Sequence, residues 1–242
     1  MNRVLARVLM ALLVVLSSAC MGGRAVRRTY YSLAVPAEPV LRRYTVPRYP
    51  VVVRVERVGV ALAYRRQEIA YRTNPYELRY DWYRLWVSRP DKMFTELLAG
   101  YLRRSGLFAQ VVEQLGERAP DYVLRAEVLA LEELDSSEDV WYARLAMRLA
   151  LVRFADRRAI WEHVFDVKRR VHTRRPVFVV RTLDAILAEQ MQQAIDALDA
   201  RLAALTGAPA PERAPARPAP TDAAAPSDAP DAPPRPKAWL KR

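Results

Sequence analysis

The sequence predicts an α+β fold: a mainly antiparallel sheet with two amphipathic helices packed on one face, a two-layer sandwich. Three observations predict it. Several segments alternate with period two, most plainly Trp141, Ala143, Leu145, Met147, Leu149 and Leu151, with Arg144 and Arg148 on the opposite side. Two longer segments repeat their apolar residues at helical spacing instead. The order is strands, helix, strands, helix, with short polar connections that suit antiparallel neighbours.

The first 19 residues stand outside that fold. Arg3 and Arg7 give a positive start, Val8 to Leu16 are all apolar, and Ser17, Ser18 and Ala19 lead to Cys20. That is the pattern of a secretory signal peptide, and the apolar run is shorter than the ~20 residues that a membrane-spanning helix needs. Cys20 is the single cysteine of the 242 residues, so it has no internal disulfide partner. Small residues followed directly by Cys are what lipid attachment requires, and Cys20 is read as the site of a diacylglycerol and palmitate anchor. Ser17 stands where a leucine is usual in such signals, and an ordinary signal peptidase could also cut before Cys20. Met21 follows the cysteine where an aspartate would favour inner-membrane retention, which points to the outer membrane.

Residues 20–28 form a short basic tether. Thr29 to Val35 reads as the first strand, and prolines 36, 39, 47 and 50 mark a loop. Val51, Val53 and Val55 alternate, and Gln67 to Thr73 forms a further short strand before the Asn74-Pro75 turn. Tyr76 to Val87 is extended and aromatic. A helix follows, with Ser88 as cap, Pro90 in the first turn, an apolar stripe of Met93, Phe94, Leu97, Leu98, Tyr101 and Leu102, and Gly106 as stop. Leu107 to Val112, Asp121 to Leu131, Trp141 to Leu151 and Trp161 to Val171 are strands, the last three an antiparallel meander. Glu132 to Asp139 reads as an acidic turn. The second helix is expected from about Thr182 to Leu205. The folding domain is therefore 29–206. Residues 207–242 hold ten prolines and eleven alanines, too little apolar bulk for a core, and read as an extended, disordered tail.

A net charge of +12 raises nucleic acid as a partner. Only Lys92, Lys168, Lys237 and Lys241 are lysines, and the arginines spread through every segment rather than clustering, so no nucleic-acid surface is read. The chain offers no catalytic cysteine beyond Cys20, no nucleophile elbow and no phosphate loop. His163 and His172 are nine residues apart and cannot share a metal, so neither an enzyme, a cofactor nor a metal site is expected. The feature that remains is aromatic: Tyr76, Tyr80, Trp82, Tyr83 and Trp86 crowd one segment. Its alternate members either fill the core and cover a sheet edge or line a ligand groove or a partner contact, the latter drawn on Tyr80, Trp82, Tyr83 and Trp86.

The lipoprotein signal, Tyr30-Tyr31-Ser32-Leu33, Tyr80-Asp81-Trp82 to Trp86, Leu102 to Phe108, Val111-Val112 and Asp121 to Leu124 opening a meander together resemble the ABC-type transport auxiliary lipoproteins, the PqiC-like family. The resemblance spans about residues 20–205 and leaves out the Pro/Ala tail. It implies a non-enzymatic auxiliary component of an intermembrane (phospho)lipid transport system built on MCE-domain proteins with an ABC permease and ATPase. The lipoprotein would sit at the periplasmic face of the outer membrane and dock or receive the assembly, and self-association into a homo-oligomer is compatible with it. The alternatives are a stand-alone lipid-binding lipoprotein and an envelope structural protein contacting peptidoglycan.

Overall fold

A computed structural model of the chain describes residues 27–34, 44, 46–135, 140–173 and 175–207. The elements are β1 (Thr29–Tyr31), β2 (Tyr49–Val55), β3 (Gly59–Val60), a 3-10 turn (Leu62–Tyr64), β4 (Glu68–Asn74), β5 (Glu77–Trp86), α1 (Pro90–Ser105), β6 (Phe108–Val112), β7 (Tyr122–Asp135), β8 (Trp141–Arg153), β9 (Ala159–Val171) and α2 (Pro176–Thr206). All of them belong to one compact unit, Thr29–Ala223. The expected signal peptide, Cys20 and the tail beyond Gly207 lie outside the described residues. No described helix is long and apolar enough to cross a membrane.

The sheet has nine strands and is built on β7. Along one edge β7 pairs antiparallel with β8 over its whole length, and β8 pairs antiparallel with β9, which is the expected meander. The other edge of β7 is shared by three short strands in succession, in the registers Val53↔Tyr122, Gly59↔Glu127 and Ala70↔Glu132. All three run in the same direction as β7. Residues 53–72 thus form one interrupted strand, not a pair of hairpins.

This corrects the expectation of a mainly antiparallel sheet. The α+β class with two helices holds, but five of the eight strand pairings are parallel and the sheet is mixed. The physical reason lies in the connections. Short polar stretches read naturally as reversals, but here they are jogs. At the first jog the Glu56 amide still donates to the Leu124 carbonyl, while the Val58 amide is taken by Thr95 Oγ1 at 2.9 Å. The Ala61 amide then donates to Val128 O, so the chain steps off β7 and returns without turning round.

The helices lie where their apolar stripes require. Leu102 of α1 and Met191, Ala194, Ile195 and Leu198 of α2 converge on Leu124, Leu149 and Trp161, so both helices cover the same sheet face. α1 begins at Pro90, with Asp91 in its first turn and Arg103 and Arg104 in its last, the charge order that suits the helix dipole. Its N-cap is Arg89 with no side-chain cap, so the expected role of Ser88 is not realised. α2 starts at Pro176, six residues before the expected Thr182, whose hydroxyl bonds back to the Phe178 carbonyl inside the helix. The fixed φ of proline and its missing N–H make that start favourable. Near the other end of α2 the carboxylate of Asp199, 2% exposed, accepts from Tyr44 and Tyr49 hydroxyls at 2.7 and 2.6 Å and pairs with Arg48. Burial, then the Asp199 hydrogen bond, pushes the Tyr44 hydroxyl up to about 12.

Candidate functional site

The aromatic segment is shaped by a bulge in β5. Against β4, Ile69 pairs with Asp81 but Glu68 pairs with Leu85, so Trp82, Tyr83 and Arg84 are inserted on one strand. Asp81 holds this insertion. Its Oδ1 accepts the backbone N–H of Tyr83 at 2.9 Å and of Arg84 at 3.1 Å, and its Oδ2 accepts Arg84 Nε at 2.6 Å. The Arg84 side chain turns inward and donates through Nη1 to Glu133 at 3.1 Å. Arg84 is 5% exposed and Glu133 fully buried. Bulges re-aim side chains, and this one points an arginine into the protein and two aromatic rings out of it.

The four residues expected to form one contact therefore separate. Trp82 and Tyr83 are exposed, at 60% and 43%. Tyr80 is half-buried, its hydroxyl donating to the Ala63 carbonyl at 2.9 Å. Trp86 is 1% exposed and belongs to the core, which removes it from any partner contact. Its place follows from the bulge, which restores β5 to its ladder with the Trp86 amide on Gln67 O. The guanidinium of Arg66 lies over Tyr80 at 4.7 Å and over Trp82 at 5.8 Å, which joins the exposed ring to the sheet.

A second arrangement occupies the sheet face away from the helices. A groove of about 680 Å³ is bordered by Ala61 and Ala63 beside the 3-10 turn and by Ala130, Ala146 and Val164 of the strands. At its polar end the buried carboxylate of Glu132 accepts from Tyr64 at 2.6 Å, Arg72 at 2.7 Å and Arg144 at 3.0 Å. Arg144 continues to Asp166 at 2.7 Å. The Arg144 hydrogen bond holds the Asp166 carboxyl below its ordinary range, and burial followed by the Glu132 contact raises the Tyr64 hydroxyl. Glu132, Arg72, Arg144 and Asp166 pair with one another, so the network braces β4, β7, β8 and β9.

Sequence reasoning missed Asp81, Arg84, Glu132 and Glu133. The last two were assigned to an acidic turn, yet both lie in β7 and are fully buried. The alternation of β7 slips at Leu129, where the register with β8 shifts between Val128 and Ala130, so Glu132 and Glu133 exchange the faces that unbroken alternation would give them. A visible signal was the excess of arginine on the adjoining strands, since a buried carboxylate needs a cation. His163 stacks on Trp161 at 6.0 Å along β9. Among the described residues no group of acidic, histidine or cysteine side chains could hold a metal.

Fold and site together form a braced α+β frame with exposed aromatic side chains on β5. The chain belongs to the family of ABC-type transport auxiliary lipoprotein components, whose model matches residues 31–203. This is a transport auxiliary family, not an enzyme family, and a lipoprotein family belongs to the cell envelope. Among solved structures, the chain is similar to protein XCC0632 from Xanthomonas campestris, with a TM-score of 0.63 and 18% identity over 74% of this chain and 99% of that one. An uncharacterized protein gives a TM-score of 0.50 at 15% identity, covering 73% of this chain and 99% of the other. At these identities the likeness concerns the fold. No curated relative matches the chain.

Proposed function

We propose that the protein is a non-enzymatic, lipid-anchored auxiliary component of an ABC/MCE-type intermembrane lipid transport system. Cys20 carries the anchor, the domain stands at the periplasmic face of the outer membrane, and it docks or receives the MCE assembly there. The observation that carries this reading is the family match across residues 31–203, nearly the whole described domain. The frame is suited to it, because paired strands braced by Glu132 and Glu133 hold their surface rigid, and preorganised surfaces lose little entropy on docking. The energy of transport would come from the ATPase subunit.

Three measurements test it. Cross-linked, full-length protein purified from its own cells should bring down an MCE-domain protein and a permease, and recovery of neither would end the docking reading. Metabolic labelling with a palmitate analogue should mark the wild type and spare Cys20→Ala. Deleting residues 208–242 should leave transport intact, whereas an envelope structural protein reaching peptidoglycan through its tail would lose function. The groove of about 680 Å³ favours one second reading, a lipoprotein that binds an apolar ligand itself. Co-purifying lipid detected by mass spectrometry, and lost in Ala146→Trp, would support it.

A further inference from the structure

The geometry points to the β1–β5 edge as a membrane-contact rim, on which Tyr30, Trp82 and Tyr83 sit among the headgroups of an anionic phospholipid surface. This rests on the anchor at Cys20. The exposed apolar side chains of this edge are concentrated: Tyr30 at 56%, Trp82 at 60%, Tyr83 at 43% and Val87 at 56%. They lie on adjoining stretches of two paired strands, β1 meeting β5 just after the bulge that carries Trp82 and Tyr83. Tyr30 pairs with Leu85, and the Val87 amide donates to the Tyr31 carbonyl. The aromatic members are Trp and Tyr, the ring types that settle at a membrane–water interface because one part is apolar and the other hydrogen-bonds.

The presentation of the rim is built. Asp81 spends both carboxylate oxygens on holding the bulge that turns Trp82 and Tyr83 outward, and Arg84 is locked to Glu133 behind them. Arg66, which also pairs with Glu68 at 3.5 Å, reaches across Trp82, so a half-exposed guanidinium accompanies the exposed ring. A cation and interfacial aromatics on one edge match an anionic headgroup layer.

The length of the tether selects the occupant. β1 is the first strand, and only nine residue steps separate Cys20 from Thr29. Fully extended, they span at most about 30 Å. Residues 21–28 contain Arg24, Arg27 and Arg28 and no acid, so the tether itself is drawn to anionic lipid. A tether of this length lets the β1–β5 edge reach the bilayer, and a second contact there would fix the domain's orientation instead of leaving it to swing on a single point. Trp82 would enter the interface and Arg66 would face the phosphates.

The test uses full-length lipidated protein reconstituted in vesicles with about one-fifth anionic phospholipid and brominated acyl chains. Tryptophan quenching is compared between wild type and Trp82→Phe, with vesicle flotation run in parallel. Trp82 is one of five tryptophans, so its contact should make roughly one-fifth of the emission quenchable in the wild type and absent in the variant. Protein that floats but shows equal quenching in both overturns the rim. Protein that fails to float overturns the anchor reading instead. A Trp82→Ala/Tyr83→Ala double variant that keeps its thermal melt should still float with the vesicles through its anchor but lose the Trp82-dependent quenching. Loss of MCE-partner capture in that variant, with quenching equal in wild type and Trp82→Phe, would assign the edge to a protein partner and sink the proposal.

Discussion

At the residue scale the fold is held by charges that are buried together. Arg84, with its side chain 6% exposed, relies on Asp81 and Glu133, and one guanidinium nitrogen has no partner. Removing a partner of a buried ion leaves an uncompensated charge, so Glu133→Ala should cost about 3 kcal/mol in urea denaturation. Arg84→Met combined with Glu133→Leu should recover most of that loss. A single variant that loses less than about 1 kcal/mol would mean that Asp81 alone suffices. Two aspartates give opposite pH signs. Asp166 is held below the ordinary aspartate value of 3.8 by the Arg144 hydrogen bond, so its contribution is present above 3.8 and lost as pH falls. Asp184 is pushed above 3.8 by burial, against a single amide donor, Ala34. Its folded form holds a proton more tightly than the unfolded chain, so ionisation costs stability as pH rises through the folded value. Asp184→Asn should therefore raise Tm at neutral pH, with the gain fading toward pH 3.8. For Asp166→Asn the change should be a loss at neutral pH. Equal and pH-independent shifts for both would contradict these assignments.

At the element scale the two helix ends make a matched comparison. Gly106 and Gly207 both end a helix in the left-handed region, at φ 69° and 67°. A Cβ on Gly106 would lie 2.7 Å from the Tyr44 carbonyl oxygen, whereas one on Gly207 would meet nothing within 4 Å among the described residues. Gly207→Ala should cost only the backbone strain, about 1 kcal/mol. Gly106→Ala adds a backbone clash that no rotamer relieves, and should cost at least about 1–2 kcal/mol more. The same elements show what was legible. Met93 to Leu102 and Leu183 to Leu205 announce their helices because a buried stripe at helical spacing has no other use. The start of α2 is hard to read because Val177, Val179 and Val180 are β-branched and suit a strand, although Pro176 fits a first helical residue. The bulge at Asp81 was hidden because three inserted residues conceal which aromatics face inward. Trp82, Tyr83 and Trp86 are the same kind of residue in sequence, and only the register with Glu68 and Ile69 separates surface from core.

At the scale of the whole molecule the sheet has a centre and distinct edges, and its direction was the part hardest to read. Alternation tells which residues face the core but is silent on whether neighbours run together or opposed. Val53 and Ala70 would look the same in either arrangement. The arrangement makes a prediction through hydrogen exchange. β7 is bonded on both sides, by β8 along its length and by β2, β3 and β4 in turn, so its amides open only with the whole domain. β9 bonds only to β8 among the described strands, and β1 only to β5. Amides of Leu124, Val128 and Leu131 should therefore exchange slowest, close to the global unfolding rate, while those of β1 should exchange orders of magnitude faster through local fraying. The interrupted strand is the decisive case. If residues 53–72 pair in parallel with β7, protection should fall at Arg57 and at Arg65, on the jogs, and rise again at Ala61 and Ala70, giving a stepped profile along one continuous edge. An antiparallel hairpin would instead put one minimum at its turn and mirror the protection about it. A mirrored profile would overturn the parallel edge, and with it the placement of β5 and the exposed Trp82 that depends on β4.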